Sequence, residues 1–82
     1  MSTQIIYQIK KNQQERICFS LGEFKEKSYL DIRLFFIHSD SGEVIPTKKG
    51  ITLPTWTIAE IKKALMTIEK QSKSLNNGHK TT

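Results

Sequence analysis

Among 82 residues there is a single cysteine, Cys18. No disulfide can form within the chain, which fits a reducing, intracellular setting. No apolar run approaches the ~20 residues that a membrane-spanning helix needs. The N-terminus has neither the charged start nor the apolar stretch of a secretory signal. No Cys or His pair stands at zinc-ligand spacing and there is no P-loop, so no metal or cofactor is expected. His38, Asp40 and Ser41 are residue types that build hydrolytic triads. They fall in one short turn, however, with no evident oxyanion site or pocket. His79 lies in a polar tail, and Cys18 has no obvious partner. The expectation is a protein that is not an enzyme.

What is present is positive charge. The formal net charge is +5, with 13 Lys and Arg against 8 Asp and Glu. Such a balance favours an anionic partner, a nucleic acid or a membrane surface. It does not locate a binding face. Residues 23–50 carry five cations and five anions, and the excess comes from the N-terminal segment and the region after Leu53. A chain this short buries a limited core, which makes oligomerisation an expected source of stability.

Hydrophobic periodicity gives four strands and one helix. Residues 1–4 read as a loose end. Ile5 to Lys10 reads as a strand with Ile5, Tyr7 and Ile9 on one face. After the polar turn KKNQQE, residues 15–21 alternate: Ile17, Phe19 and Leu21 one way, Arg16, Cys18 and Ser20 the other. Gly22 and residues 23–27 read as a loop around Phe24. Residues 28–38 form the longest strand candidate. Its face of Leu30, Ile32, Leu34 and Phe36 is apolar, while Tyr29, Asp31, Arg33, Phe35 and Ile37 make a mixed one. HSDSGE is a hairpin turn. Residues 44–53 make the fourth strand, in which Pro46 implies an edge or a bulge. Thr57 to Glu60 fits a capping box, with Trp56 and Ile61 as a hydrophobic staple. Ile58, Ile61, Leu65 and Ile68 then form one helical stripe. The polar tail from residue 73 is expected to fray. The layout is α+β: an antiparallel meander with the helix on one face and the other face open. The folded domain is expected over residues 5–72.

Three groups of residues invite a functional reading. Phe24, Lys25, Lys27, Tyr29 and Arg33, with Phe35 or Phe36, mix cations with aromatic rings. Single-stranded nucleic acid needs that mixture, because cations track phosphates while rings stack unpaired bases. A strand with one core face and one solvated face would have the same composition. Lys48 and Lys49 before Gly50 could meet a phosphate, though taken alone they are better explained as a charged strand end with a glycine bulge. The lysine-bearing helix could lie on a membrane, but its stripe fits better against the sheet or a partner subunit.

In combination the motifs are more specific. FKEKSYLDIRLFF, then PTKKGITL, then a helix, resembles the positive cofactor four family of transcriptional coactivators, in its C-terminal single-stranded-DNA-binding domain. The likeness runs from about Tyr7 to Ile68. It implies a curved four-stranded antiparallel sheet followed by one helix, and a homodimer through the helices. It also implies β-ribbons that form channels for single strands and bind with little sequence preference. By position, Phe24 matches the family's stacking loop aromatic, and Lys25 and Lys27 its loop lysines. Arg33 matches the arginine of its D-I-R motif. Phe36 falls where the family commonly has a ribbon tryptophan, and Lys48 and Lys49 match its basic pair. Strict alternation instead puts Phe35 on the face of Arg33, so Phe35 is held in reserve.

The chain also departs from the family pattern. Glu26 stands where the family usually has glycine, which adds a negative charge to the loop. Pro54 precedes the helix rather than sitting in its first turn, and Ile58 takes a helix position usually aromatic. The KKNQQE connection is longer than usual. The sequence shows no Ser-rich acidic N-terminal region like that of the eukaryotic coactivators, which favours a bacterial or phage protein acting in the cytoplasm or nucleoid. A eukaryotic one would act in the nucleus. The expected function is non-sequence-specific binding of single-stranded DNA during transcription or replication and recombination. Rival readings are a β-ribbon binder of duplex DNA or RNA, and an adaptor that recruits polymerase or recombination proteins.

Overall fold

The computed structural model describes residues 2–75. Met1 and residues 76–82, which include His79 and most of the expected polar tail, lie outside the described residues. Four strands follow one another: β1 (Ser2–Lys10), β2 (Glu15–Phe24), β3 (Lys27–Ile37) and β4 (Val44–Pro54). They pair antiparallel in the order β1-β2-β3-β4, as an open meander. A 3-10 turn (Thr55–Thr57) then leads into α1 (Ile58–Leu75). The α+β layout is the one expected.

The β2–β3 pairing runs without a break from Glu15 opposite Phe36 to Phe24 opposite Lys27. Directly opposed residues share a face, so this register sorts the two strands completely. Ile17, Phe19 and Leu21 meet Leu34, Ile32 and Leu30, and β4 adds Ile51 and Leu53 to that apolar face. On the other face Cys18 opposes Arg33, Ser20 opposes Asp31, and Gly22 opposes Tyr29. Cys18 and Ser20, at 0% and 2% exposure, are small residues flanked on both sides by longer ones. Burial pushes the Cys18 thiol up, which keeps it protonated and inert.

Several local expectations are corrected. β1 begins at Ser2, not Ile5, because residues 2–4 pair with Leu21 to Glu23. A bulge between Ile5 and Tyr7 places one extra residue, Ile6, in β1. Ile5 therefore opposes Ser20, while Tyr7 and Ile9 oppose Phe19 and Ile17, and the three do not share a face. Tyr7 and Phe19 meet edge to face, with ring centroids 6.3 Å apart. Residues 23–27 are not an irregular loop. β2 and β3 are joined by the two-residue turn Lys25–Glu26, with φ of 54° and 64°, the pattern of a type I′ hairpin.

Pro46 does sit on an edge strand and at a register shift. Gly50 opposes Arg33 and Pro46 opposes Phe35, so Thr47, Lys48 and Lys49 bulge opposite Leu34 alone. The Thr47 hydroxyl ties this bulge down, donating to the Leu34 carbonyl at 2.7 Å and accepting from the Lys49 amide at 3.1 Å. The turn after β3 is closed by His38 and Glu43 (N–H to carbonyl, 2.9 Å), with Gly42 at φ 74°. There the His38 ring accepts from the Asp40 amide and Ser41 accepts from the Glu43 amide, so both side chains serve the turn.

The helix start also differs. The chain already coils at Thr55, so Thr57 is not an extended cap residue. Its hydroxyl turns back and donates to the Pro54 carbonyl at 2.7 Å. Glu60 pairs instead with Lys63 at 3.5 Å, and Trp56 stays 77% exposed rather than stapling the first turn. The helix continues directly from the 3-10 turn and makes no extensive contact with any strand. Ile58 and Ile61 are half-buried, whereas Leu65 and Ile68 on the same stripe are 58% and 59% exposed. The expected helix-on-sheet packing is therefore not made within the chain.

The I′ turn carries a cost. Left-handed backbone disfavours any side chain with a Cβ, by roughly 1–2 kcal/mol per residue, and glycine avoids that at some entropic loss. Glu26→Gly is expected to stabilise the protein by about 1 kcal/mol. Urea unfolding at fixed protein concentration measures it; an unchanged or lower midpoint would contradict the strain.

Candidate nucleic-acid interface

The β2–β3 hairpin ends in a cluster of candidate residues. Phe24 is the last residue of β2 and is 49% exposed. The tight turn folds Lys25 back so that its ammonium lies 5.2 Å from the centre of the Phe24 ring. Lys27, paired with Phe24, opens β3. Phe24, Lys27, Tyr29, Thr52 and Pro54 border an open recess of about 310 Å³. The exposed ring of Trp56 borders a neighbouring recess together with Lys27 and Ser28. Trp56 escaped the functional reading because its position before a cap pattern suggested a staple.

Arg33 lies further along the same face as Tyr29, four pairs in from the Tyr29–Pro54 pair. It is not a free cation. Its Nε and Nη2 donate to the two carboxylate oxygens of Asp31, each at 3.0 Å, and its Nη1 donates to the Thr47 carbonyl at 3.0 Å. The Thr52 hydroxyl donates to Asp31 Oδ1 at 2.8 Å. The hydrogen bond from Arg33 is the main cause that holds the Asp31 carboxyl below the usual carboxylate range, and burial opposes it. The same bond raises the pKa of Arg33, which keeps its charge.

The aromatic pair at the end of β3 is split. Because β2 pairs β3 without a break, the bulge lies wholly in β4 and leaves the alternation of β3 intact. Phe35 lies on Arg33's face and is half-buried. Phe36, on the apolar face opposite Glu15 and Ile45, is 37% exposed. Lys48 and Lys49 stand exposed in the bulge. Lys49 is near enough to Glu15 to help lower its pKa, although the Asn12 side-chain hydrogen bond is the larger cause. The structure thus brings Phe24, Lys25 and Lys27 together and sets Arg33 on the adjoining sheet face. It does not place Phe36 on that face.

Among the described residues no group of three acidic, His or Cys side chains could hold a metal ion. Nor is any helix there long and apolar enough to cross a membrane.

Comparison with known proteins connects these elements. The sequence profile of the family described as Transcriptional Coactivator p15 (PC4) matches residues 11–64. A Caenorhabditis elegans protein named as a candidate RNA polymerase II transcriptional coactivator is 35% identical over 52 residues, 63% of this chain. Those residues are 42% of that protein, so the chain spans less than half the length of this relative. The crystal structure of a PC4 homolog from Burkholderia pseudomallei matches with a TM-score of 0.76 at 26% identity, over 83% of this chain and 90% of that one. A bacteriophage T5 homolog of PC4, implicated in recombination-dependent DNA replication, matches in fold with a TM-score of 0.62 at 23% identity, over 93% of this chain and 84% of that one. The profile takes in β2, β3, β4 and the start of α1, the elements that carry the hairpin and Arg33, and the chain belongs to the transcriptional coactivator p15 (PC4) family.

Proposed function

We propose that this protein binds single-stranded DNA without sequence preference, as a homodimer. It holds melted strands during transcription or during replication and recombination, alongside the proteins of those processes. The observation that carries the reading is the hairpin tip: an exposed Phe24 ring with Lys25 over it and Lys27 beside it. A ring so placed can stack on an unpaired base while the lysines meet neighbouring phosphates. In a duplex the bases are already stacked and paired, so the ring has little to gain there. Arg33, Lys48 and Lys49 extend the cationic path along the sheet. Of the two rings at the end of β3, Phe35 shares the face of Arg33 and is the one that a strand on that face would meet, whereas Phe36 lies on the opposite face.

Surface chemistry supports the dimer. Among the described residues Cys18 is the only hydrophobic residue fully buried, and Leu65, Met66 and Ile68 stand exposed on the helix. Apolar surface of this extent marks a contact surface. Two such helices meeting would supply the core that one protomer lacks.

Phe24→Ala is expected to weaken binding to an oligo-dT strand about tenfold at constant salt, with little effect on duplex binding. Fluorescence anisotropy measures both, and equal loss on the two ligands would contradict base stacking. Phe35→Ala should weaken oligo-dT binding several-fold; loss with Phe36→Ala alone would move the strand to the apolar side of the ribbon. Leu65→Asp is expected to convert the dimer to monomer in sedimentation velocity, since burying a leucine contributes about 1.5–3 kcal/mol per site. An unchanged mass would exclude the helix interface.

A further inference from the structure

Gly50 and Arg33 are fitted to each other. A Cβ at Gly50 would lie 2.9 Å from both Cβ and Cγ of Arg33, and 2.8 Å from the Ile32 carbonyl oxygen. The stem of Arg33 therefore occupies the space that any side chain at position 50 would need, and it crosses β4 toward the Thr47 carbonyl. That carbonyl is available because Thr47 lies in the bulge, held there by its own hydroxyl. From the other side Asp31 grips the guanidinium with both oxygens, and Thr52 fixes Asp31.

An arginine has five N–H donors. Three are engaged here, one each on Nε, Nη1 and Nη2, which leaves one on Nη1 and one on Nη2. The side chain of Arg33 is 24% exposed and that of Asp31 15%. A flexible surface cation would be freer to track any phosphate. This one is held in a single orientation with two N–H donors left over for an anion such as a phosphate. The carboxylate has a second effect, since it offsets the long-range attraction of Arg33 for a polyanion.

We propose that Asp31, locked by Thr52, is a positioning residue for nucleic-acid binding, and that Gly50 and Thr47 complete a clamp aiming Arg33 at one backbone phosphate. This rests on the single-strand-binding reading above. It predicts a sign opposite to that of simple electrostatics. Removing a negative charge from a DNA-binding face ordinarily tightens binding. Here Asp31→Asn leaves Arg33 ungripped, so binding weakens despite the lost repulsion.

The test is a cycle of Asp31→Asn, Arg33→Ala and the double variant, titrated with oligo-dT at one salt concentration. Asp31→Asn is expected to weaken binding about five- to tenfold in the native background and not at all when Arg33 is alanine. Thr52→Val, which keeps the carboxylate and removes only its lock, is expected to weaken binding two- to threefold, again only while Arg33 is present. Far-UV circular dichroism and sedimentation on each variant separate lost aim from lost fold. If Asp31→Asn misfolds, the Thr52→Val pair decides alone. Tighter or unchanged binding by folded Asp31→Asn, or equal losses with and without Arg33, would overturn the clamp and leave the single-strand reading standing. If the native protein fails to bind oligo-dT, both fall.

Discussion

The unbroken pairing of β2 with β3 is the constraint on which the rest depends. Ten consecutive opposed pairs, from Glu15–Phe36 to Phe24–Lys27, leave no freedom in which side chain faces which way. A slip of one residue would turn Ile32 and Leu34 to the face that Arg33 now holds and put Arg33 on the side of Ile17, Phe19 and Leu21. The same register ends in a turn of two residues, which puts Phe24 and Lys27 across from each other at the hairpin end. The polar face can therefore carry Asp31, Arg33 and Tyr29 in a row, because the apolar face already absorbs Leu30, Ile32 and Leu34.

The second strand pair works differently. β3 and β4 are in register only up to Gly50 opposite Arg33, and β4 then loops out by two residues before Pro46. Proline cannot donate to a ladder, and glycine leaves room for a neighbour, so the two residues bracket a stretch that need not pair normally. That stretch holds Lys48 and Lys49 at the surface and turns the Thr47 carbonyl toward Arg33. The bulge is thus a placement device: it presents two cations and completes the surroundings of a third.

Much of this was legible in the sequence, and the parts that were not share one cause. Period-two alternation identified the faces of β2 and β3 because each side chain's direction depends only on its neighbours in the chain. It failed at Ile5, where the bulge at Ile6 resets the phase without any glycine or proline to mark it. The Thr57–Glu60 pattern fits a capping box, yet Pro54 starts the coil earlier and gives the threonine hydroxyl a nearer carbonyl. The loop residues Phe24, Lys25 and Lys27 could be picked out from composition and from likeness to the family. The surroundings of Arg33 could not, because Thr47, Gly50 and Thr52 reach it only through pairing across a bulge whose offset no local residue announces. One part of that site was readable: Asp31 and Arg33 stand two apart on a strand, which puts them on one face. The side chain of Glu26 at a left-handed position was legible as an oddity of charge, while its backbone cost needed the turn geometry.

The central claim is that a single strand of DNA lies across the hairpin tip and the face of Arg33. Photocrosslinking with an oligonucleotide carrying 5-iodouracil, followed by mass-spectrometric mapping, tests it most directly. The account expects crosslinks at Phe24 and within residues 23–29, competed away by unlabelled single strand and not by duplex. Crosslinks confined to the helix, or to the apolar face around Phe19, would contradict it.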